Sequence, residues 1–396
     1  MPSNKPNLFS HNSPSKEEFL SKYWHKSPVL LKNAVAIKDL SIFPDKSQLQ
    51  KLSCDEDIQS RIVFKNSESD YDVEYGAFAR DDWLDIEQNN QSECWNLLVS
   101  DIDKWYPSSN KILKYFNFIR NWIFDDIMLS CGSIGGTVGP HTDHYDVFLL
   151  QVQGQRRWDY SRNKIFNPDL IPEQALKLMA DFQAEESYVL NPGDVLYLPP
   201  EVAHYGIATT DDCVTCSVGV RLPSHAELLT SFVDEIAQKQ SENDRLVEPE
   251  FKIQPKTGEI TPADLNQIEQ ILNAKLTSKN NNILSWFGKY ITLYRNIFFE
   301  FNQTLDENEL NQIFKDKNDL ILSPFSKACY FKQDNIEQSE SALLFVNGDQ
   351  FESSLIFAQL LCDDKIISYQ QQQNLKQSDQ QILAQLIQDG ALEQSE

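Results

Sequence analysis

The chain has 396 residues, and its 41% hydrophobic content, with 23 Phe, 14 Tyr and 7 Trp, excludes a disordered polymer. That length carries enough apolar surface for two or three domains. With 35 Lys+Arg against 59 Asp+Glu the net charge is −24, which argues against direct nucleic-acid binding, because phosphates are repelled unless a basic patch overrides the field.

Taken in order, the N-terminus from Met1 to Asn7 has no apolar signal core. Glu17 to Trp24 reads as a short amphipathic helix and Pro28 to Leu31 as a strand. Short strands follow at Ile127–Cys131, Val147–Val152, Arg157–Tyr160, Tyr188–Leu190, Val195–Leu198 and Thr215–Val220. Such strands, separated by turn residues, predict an antiparallel barrel or double-sheet jelly roll. The seven cysteines are odd in number and scattered, so a disulfide framework is not expected. Cys213 and Cys216 lie in a strand-like run where i and i+3 face opposite ways, and read as packing residues.

Beyond residue 222 the pattern turns helical. Ser224-His225-Ala226-Glu227 is a capping box opening a helix to about Lys239. Thr261-Pro262 starts another to about Thr277, and a third covers Ile283 to Arg295. Leu265, Ile268, Ile271, Leu272 and Leu276 form a helical stripe, either an internal core or a dimerisation face. After about 300, Ala342–Val346 before Asn347-Gly348 predicts a hairpin, with helices near Ser354–Leu361 and Ser378–Ile387. Gln370 to Gln373 reads as a loop. No run approaches the ~20 apolar residues of a membrane-spanning helix. The compartment implied is reducing, most simply the cytoplasm.

The chemistry concentrates in two short segments. His141 and Asp143 are two residues apart, so on a strand they face one way, and a distant His204 can complete two imidazoles and one carboxylate around a metal. That set leaves an open face and is the ligand pattern of non-heme Fe(II) oxygenases. Three of the six histidines lie in these segments. The run from Gly135 to Pro140 is loop-forming, as suits a site at a strand mouth, and Asn191-Pro192-Gly193-Asp194 is a turn feeding the strand before His204. His144 is not expected among the ligands.

A ferrous site that activates oxygen needs electrons, and 2-oxoglutarate is a common source; its far carboxylate needs a buried cation. Arg156 and Arg157 follow the turn at Gly154, and alternation sends one of them inward.

His141-x-Asp143, Gln151-x-x-Gly154-x-Arg156-x-Trp158 and Pro192-Gly193-Asp194 through His204 resemble the JmjC-type 2-oxoglutarate oxygenases. The string from Val138 to Phe148, with Arg156-Arg157-Trp158, is closer still to the bacterial ribosomal oxygenases. That resemblance implies an α+β, multidomain fold. Residues 1–222 would form a double-stranded β-helix (a cupin-like jelly roll), 223–298 a helical dimerisation region and 299–396 a winged-helix-like domain. It implies iron bound by His141, Asp143 and His204, and 2-oxoglutarate held by Arg156 with a contact from Ser130. It further implies hydroxylation of an arginine on large-subunit ribosomal protein sixteen, in a homodimer. Asp125, Asp126, Tyr145 and Asp146 are candidates to face such a substrate by their proximity in sequence, and core-turn or strand-end roles fit them equally well. A ribosomal histidine, a methylated lysine, a non-catalytic scaffold, and a nucleic-acid regulator using the C-terminal module remain the alternative readings.

Overall fold

Alternation of side chains along short strands builds two sheets in the N-terminal part of the molecule. The computed structural model describes residues 6–9, 13–89, 94–246, 258–279, 281–295, 307–333 and 341–395, and the chain divides into two units, Met1–Leu222 and Pro223–Glu396. The expected boundary between 298 and 299 lies outside the described residues.

The first unit contains β1 Val29–Leu31, β2 Ser60–Lys65, β3 Tyr71–Tyr75, β4 Cys94–Val99, β5 Phe124–Gly132, β6 Asp146–Gln153, β7 Arg156–Lys164, β8 Glu186–Leu190, β9 Val195–Leu198, β10 Val202–Ala208 and β11 Val214–Val220. Eight of them form one sheet in the order β1-β9-β6-β11-β5-β4-β2-β3, and three form a second, β10-β7-β8. This is the expected jelly roll. Strands β2 to β4 lie outside the expected set, although Asn66 to Asp70 forms a turn-rich link between β2 and β3.

Each strand of the large sheet has two jobs because its period is two. Phe148, Leu150, Val195, Tyr197, Val214, Cys216 and Val218 face one way and pack with Leu49, Ile112 and Phe116 from the flanking helical segments. Val147, Leu149, Leu196 and Leu198 face the other way and meet Trp158 and Tyr160 of the small sheet. Cys213 and Cys216 are buried thiols, as expected of packing residues. Asp146, one of the four expected mouth residues, is only 2% exposed. It accepts a hydrogen bond from Tyr197 and pairs with His25 Nδ1 at 2.6 Å, so it ties β6 to β9 and the N-terminal segment.

In the second unit, α1 His225–Ala237 opens with the anticipated capping box at Ser224/Glu227, and α2 Pro262–Leu276 opens at the expected Thr261-Pro262 start, where Thr261 and Asp264 also form a capping box. Helix α3 Ile283–Leu293 packs on the hairpin sheet: Gly288 lets the helix backbone meet the Phe345 ring, which an added Cβ would approach to 2.5 Å. The strands here are β12 Leu320–Leu322, β13 Ala328–Gln333, β14 Ser341–Val346, β15 Asp349–Ser354, β16 Ile366–Ile367 and β17 Leu392–Gln394, arranged as β13-β14-β15 and β16-β12-β17. Asn347 and Gly348 make the tight turn with φ of 47° and 89°. The tract Gln370 to Gln373 is a helix, Tyr369–Gln373, rather than a loop. Ser368 caps it and the Gln372 amide is buried on the carbonyls of Asn318 and Ile367. Among the described residues no helix is long and apolar enough to cross a membrane.

Gly206 on β10 pairs with Trp158 on β7, and a Cβ there would stand 2.6 Å from the Trp158 ring. Gly206→Ala is expected to lower stability by about 1–3 kcal/mol through overpacking, read as a lower urea midpoint at unchanged slope.

Candidate metal and cofactor site

The small sheet continues past β10 through a two-way backbone bridge. His141 N–H donates to the His204 carbonyl at 3.1 Å and His204 N–H donates to the His141 carbonyl at 2.9 Å. Further along the same two segments, Glu201 N–H donates to the Asp143 carbonyl at 2.7 Å. Two segments more than fifty residues apart in sequence therefore lie side by side, and directly opposed residues share a face.

The consequence is a cluster in which one ligand atom from each of His141, Asp143 and His204 lies within 4.8 Å of the others. Asp143 Oδ2 is 3.6 Å from His204 Nε2 and 3.9 Å from His141 Nε2. Both imidazoles are oriented through their other nitrogen. His141 Nδ1 contacts the Gly139 carbonyl and His204 Nδ1 the Val202 carbonyl, each at 3.0 Å. A carbonyl only accepts, so each Nδ1 carries the proton and each Nε2 presents a lone pair, the arrangement metal-binding histidines require. Gly139, at φ 83°, lets its carbonyl reach the ring. Burial, followed by the neighbouring His141, pushes His204 down to about 4, which keeps its imidazole neutral. His144 stays outside the cluster, exposed and paired through Nδ1 with Glu201 at 2.6 Å.

A second polar group lies between the sheets. On β7, alternation sends Arg156 inward at 2% exposure and leaves Arg157 outside beside Asp159. Arg156 Nε donates to Thr215 Oγ1 at 3.0 Å and Nη2 donates to Asn96 Oδ1 at 2.8 Å; Thr215 in turn donates to Gln151 Oε1 at 3.1 Å. Among the described residues no carboxylate lies within ion-pair distance of Arg156. Two buried donors nearby, Asn96 Nδ2 and Trp158 Nε1, have no hydrogen-bond partner. A buried cation without an anion is costly, so this constellation fits an anionic group from a ligand. Ser130 is buried and sits opposite Thr215 on β11 and Leu98 on β4, on the same inward face.

Asn96, Thr215 and Gln151 had no role assigned from the sequence. The available sign for Asn96 was a lone amide inside the apolar run Trp95 to Val99. At the mouth, Asp125 pairs with Arg221 at 3.8 Å and Arg221 lies over the Tyr145 ring at 5.4 Å. Burial, then Asp125, pushes Asp126 up to about 7. Burial together with Asp143 pushes the Tyr145 phenol up.

A jelly roll with two imidazoles and a carboxylate at one mouth and an unneutralised arginine between its sheets defines the class of non-heme 2-oxoglutarate oxygenases. Residues 111–228 match the JmjC domain and residues 249–393 the ROXA-like winged helix. The chain is 30% identical over 278 residues to the ribosomal protein uL16 3-hydroxylase of Escherichia coli strain K12, covering 70% of this chain and 71% of that protein. It is 32% identical over 269 residues to a probable ribosomal oxygenase of Haemophilus influenzae, covering 66% and 64% respectively. A solved structure of YcfD, a ribosomal oxygenase from Escherichia coli in complex with cobalt and 2-oxoglutarate, superposes with a TM-score of 0.74 at 23% identity, over 96% of this chain and 98% of that one. The chain belongs to the ribosomal oxygenases of the JmjC family, enzymes dependent on Fe(II) and 2-oxoglutarate.

His204 gives the metal-free protein a defined acid response. The unfolded imidazole titrates near 6.5 and the folded one at about 4. As pH falls through that window the unfolded chain takes the proton first, so the fold loses up to about 3 kcal/mol. His204→Leu is expected to remove this part of the acid dependence, seen by comparing urea midpoints of both metal-free proteins at about pH 7 and about pH 4.5.

Proposed function

We propose that the chain hydroxylates an arginine side chain of large-subunit ribosomal protein sixteen, with iron held by His141, Asp143 and His204 and 2-oxoglutarate held by Arg156 and Ser130. The observation that carries this reading is the pairing of a three-ligand cluster with a buried guanidinium that lacks a protein anion. Similarity to a uL16 3-hydroxylase supports the ribosomal substrate. Bound iron with its keto-acid cosubstrate supplies the oxidising chemistry that inserts oxygen into an unactivated C–H bond. The chain's own part is to bind, orient and exclude water. The Gly139 and Val202 carbonyls fix both imidazole rings, and Arg156 meets the cosubstrate's far carboxylate. Of the expected mouth residues, Asp125 and Tyr145 are already engaged by the Arg221 guanidinium, so no substrate contact is assigned to them. Seven thiols free of disulfides accord with a reducing cytoplasm.

The test is succinate formation from 2-oxoglutarate with Fe(II), with and without recombinant ribosomal protein sixteen. Wild type should show substrate-stimulated turnover and add one oxygen atom to one arginine; Asp143→Ala should show neither. Arg156→Met should raise the KM for 2-oxoglutarate about a hundredfold, as expected for losing a buried charge-assisted pair. Turnover without stimulation, or oxygen on another residue type, would reject the arginine substrate. No turnover in iron-loaded protein would favour a non-catalytic binding barrel.

We also propose that the enzyme is a homodimer assembled through its helical region. Helix α2 has no buried residue and exposes Leu265 by 59% and Leu272 by 56%, with Ile268, Ile271 and Leu276 beside them. A continuous aliphatic surface of this kind is normally covered. Sedimentation at micromolar concentration should give a dimer for wild type and a monomer for the double variant Leu265→Asp, Leu272→Asp.

A further inference from the structure

We infer that Asn96 is a second fixed donor for the far carboxylate of the cosubstrate, making its site a guanidinium–amide clamp. This rests on the reading of Arg156 as the cation that receives that carboxylate.

The argument starts from the amide's orientation. Asn96 sits on β4 opposite Gly132 of β5, two residues from Leu98 on the inward face. Its side chain is 1% exposed. Arg156 Nη2 donates to Asn96 Oδ1 at 2.8 Å. A guanidinium has no acceptor, so turning the amide over would set donor against donor. Oδ1 is thereby committed to Arg156, and Nδ2 is fixed on the other side of the amide. That nitrogen is buried and has no hydrogen-bond partner among the described residues. A strand otherwise reading Trp95, Leu97, Leu98 and Val99 could hold an aliphatic side chain here at no such cost, since an unmade buried donor is more expensive than none at all.

Among the described residues no carboxylate pairs with Arg156 in this neighbourhood. Thr215 and Asn96 both meet Arg156 through neutral oxygens. A carboxylate brings two oxygens, one for the guanidinium and one for Asn96 Nδ2, and so satisfies both deficits at once. Asn96 therefore contributes to selecting a diacid over a monoacid of the same length.

The experiment measures binding rather than turnover. Mn(II)-loaded full-length protein is titrated calorimetrically, under nitrogen, with 2-oxoglutarate and with 2-oxopentanoate, which keeps the keto acid and replaces the far carboxylate by a methyl group. Wild type should prefer 2-oxoglutarate. Asn96→Leu should weaken 2-oxoglutarate by about tenfold to a hundredfold, the loss expected for a hydrogen bond to a charged group, and leave 2-oxopentanoate within about twofold. Asn96→Ala, which adds no bulk, should show the same selective loss and serves if the leucine variant does not fold. Equal weakening of both ligands would make Asn96 a packing residue, and unchanged affinity would make it idle; either overturns the inference. If wild type fails to bind 2-oxoglutarate at all, the reading of Arg156 fails first and this inference with it.

Discussion

The reciprocal main-chain bridge between His141 and His204 is the constraint on which the site depends. Two backbone hydrogen bonds bring the His141 segment alongside β10, and that contact sets the separation of the candidate ligand atoms of His141, Asp143 and His204. The Nδ1 contacts to Gly139 and Val202 then fix which nitrogen faces inward. Each of those carbonyls belongs to the residue two positions before its histidine, so local backbone geometry and ligand orientation are one feature. Burial adds to the effect by holding His204 neutral.

The same sandwich solves a second problem. Its large sheet uses one face for a mainly apolar core against the helical segments. The inner face can then carry both apolar packing and a polar inclusion, because the fold does not rely on that face alone. Arg156, Thr215, Gln151 and Asn96 form such an inclusion, with neutral oxygens around a cation. Left without an anion it is a source of instability; on the proposed reading a diacid would make it a selective binding site. Stability and ligand recognition therefore oppose each other at Arg156, which is the usual condition of a preorganised site.

The mouth shows how neighbouring carboxylates acquire different roles from their surroundings. Asp143 joins the ligand cluster, Asp125 pairs with Arg221, and Asp126 is pushed up to about 7 by burial and by Asp125. Asp146, equally near in sequence, is consumed by Tyr197 and His25. Nothing in the residue type distinguishes these four.

Much of the architecture was legible because it follows local rules. Strand β9 emerged with the expected limits, and Ser224 and Thr261 cap the helices they announced, because alternation and capping act within a few residues. His141, Asp143 and His204 stand out in the sequence because a metal demands particular atoms at particular spacings; alternation sends one of Arg156 and Arg157 inward without saying which, and only the family resemblance points to Arg156. The tract at Gln370 reads as a loop from its polar composition, yet its helix opens on a local capping box between Ser368 and Gln371, and β2 and β3 are joined by the turn-rich Asn66 to Asp70, a signal the strand reading left unused. What tertiary structure alone decided is which of several equivalent residues does what. It placed His141 against His204, chose Arg156 over Arg157, withdrew Asp146 into a structural role, and turned Asn96 from one amide in an apolar strand into an oriented, unpaired donor. Those outcomes depend on contacts across tens of residues, where spacing along the chain carries no information about distance in space.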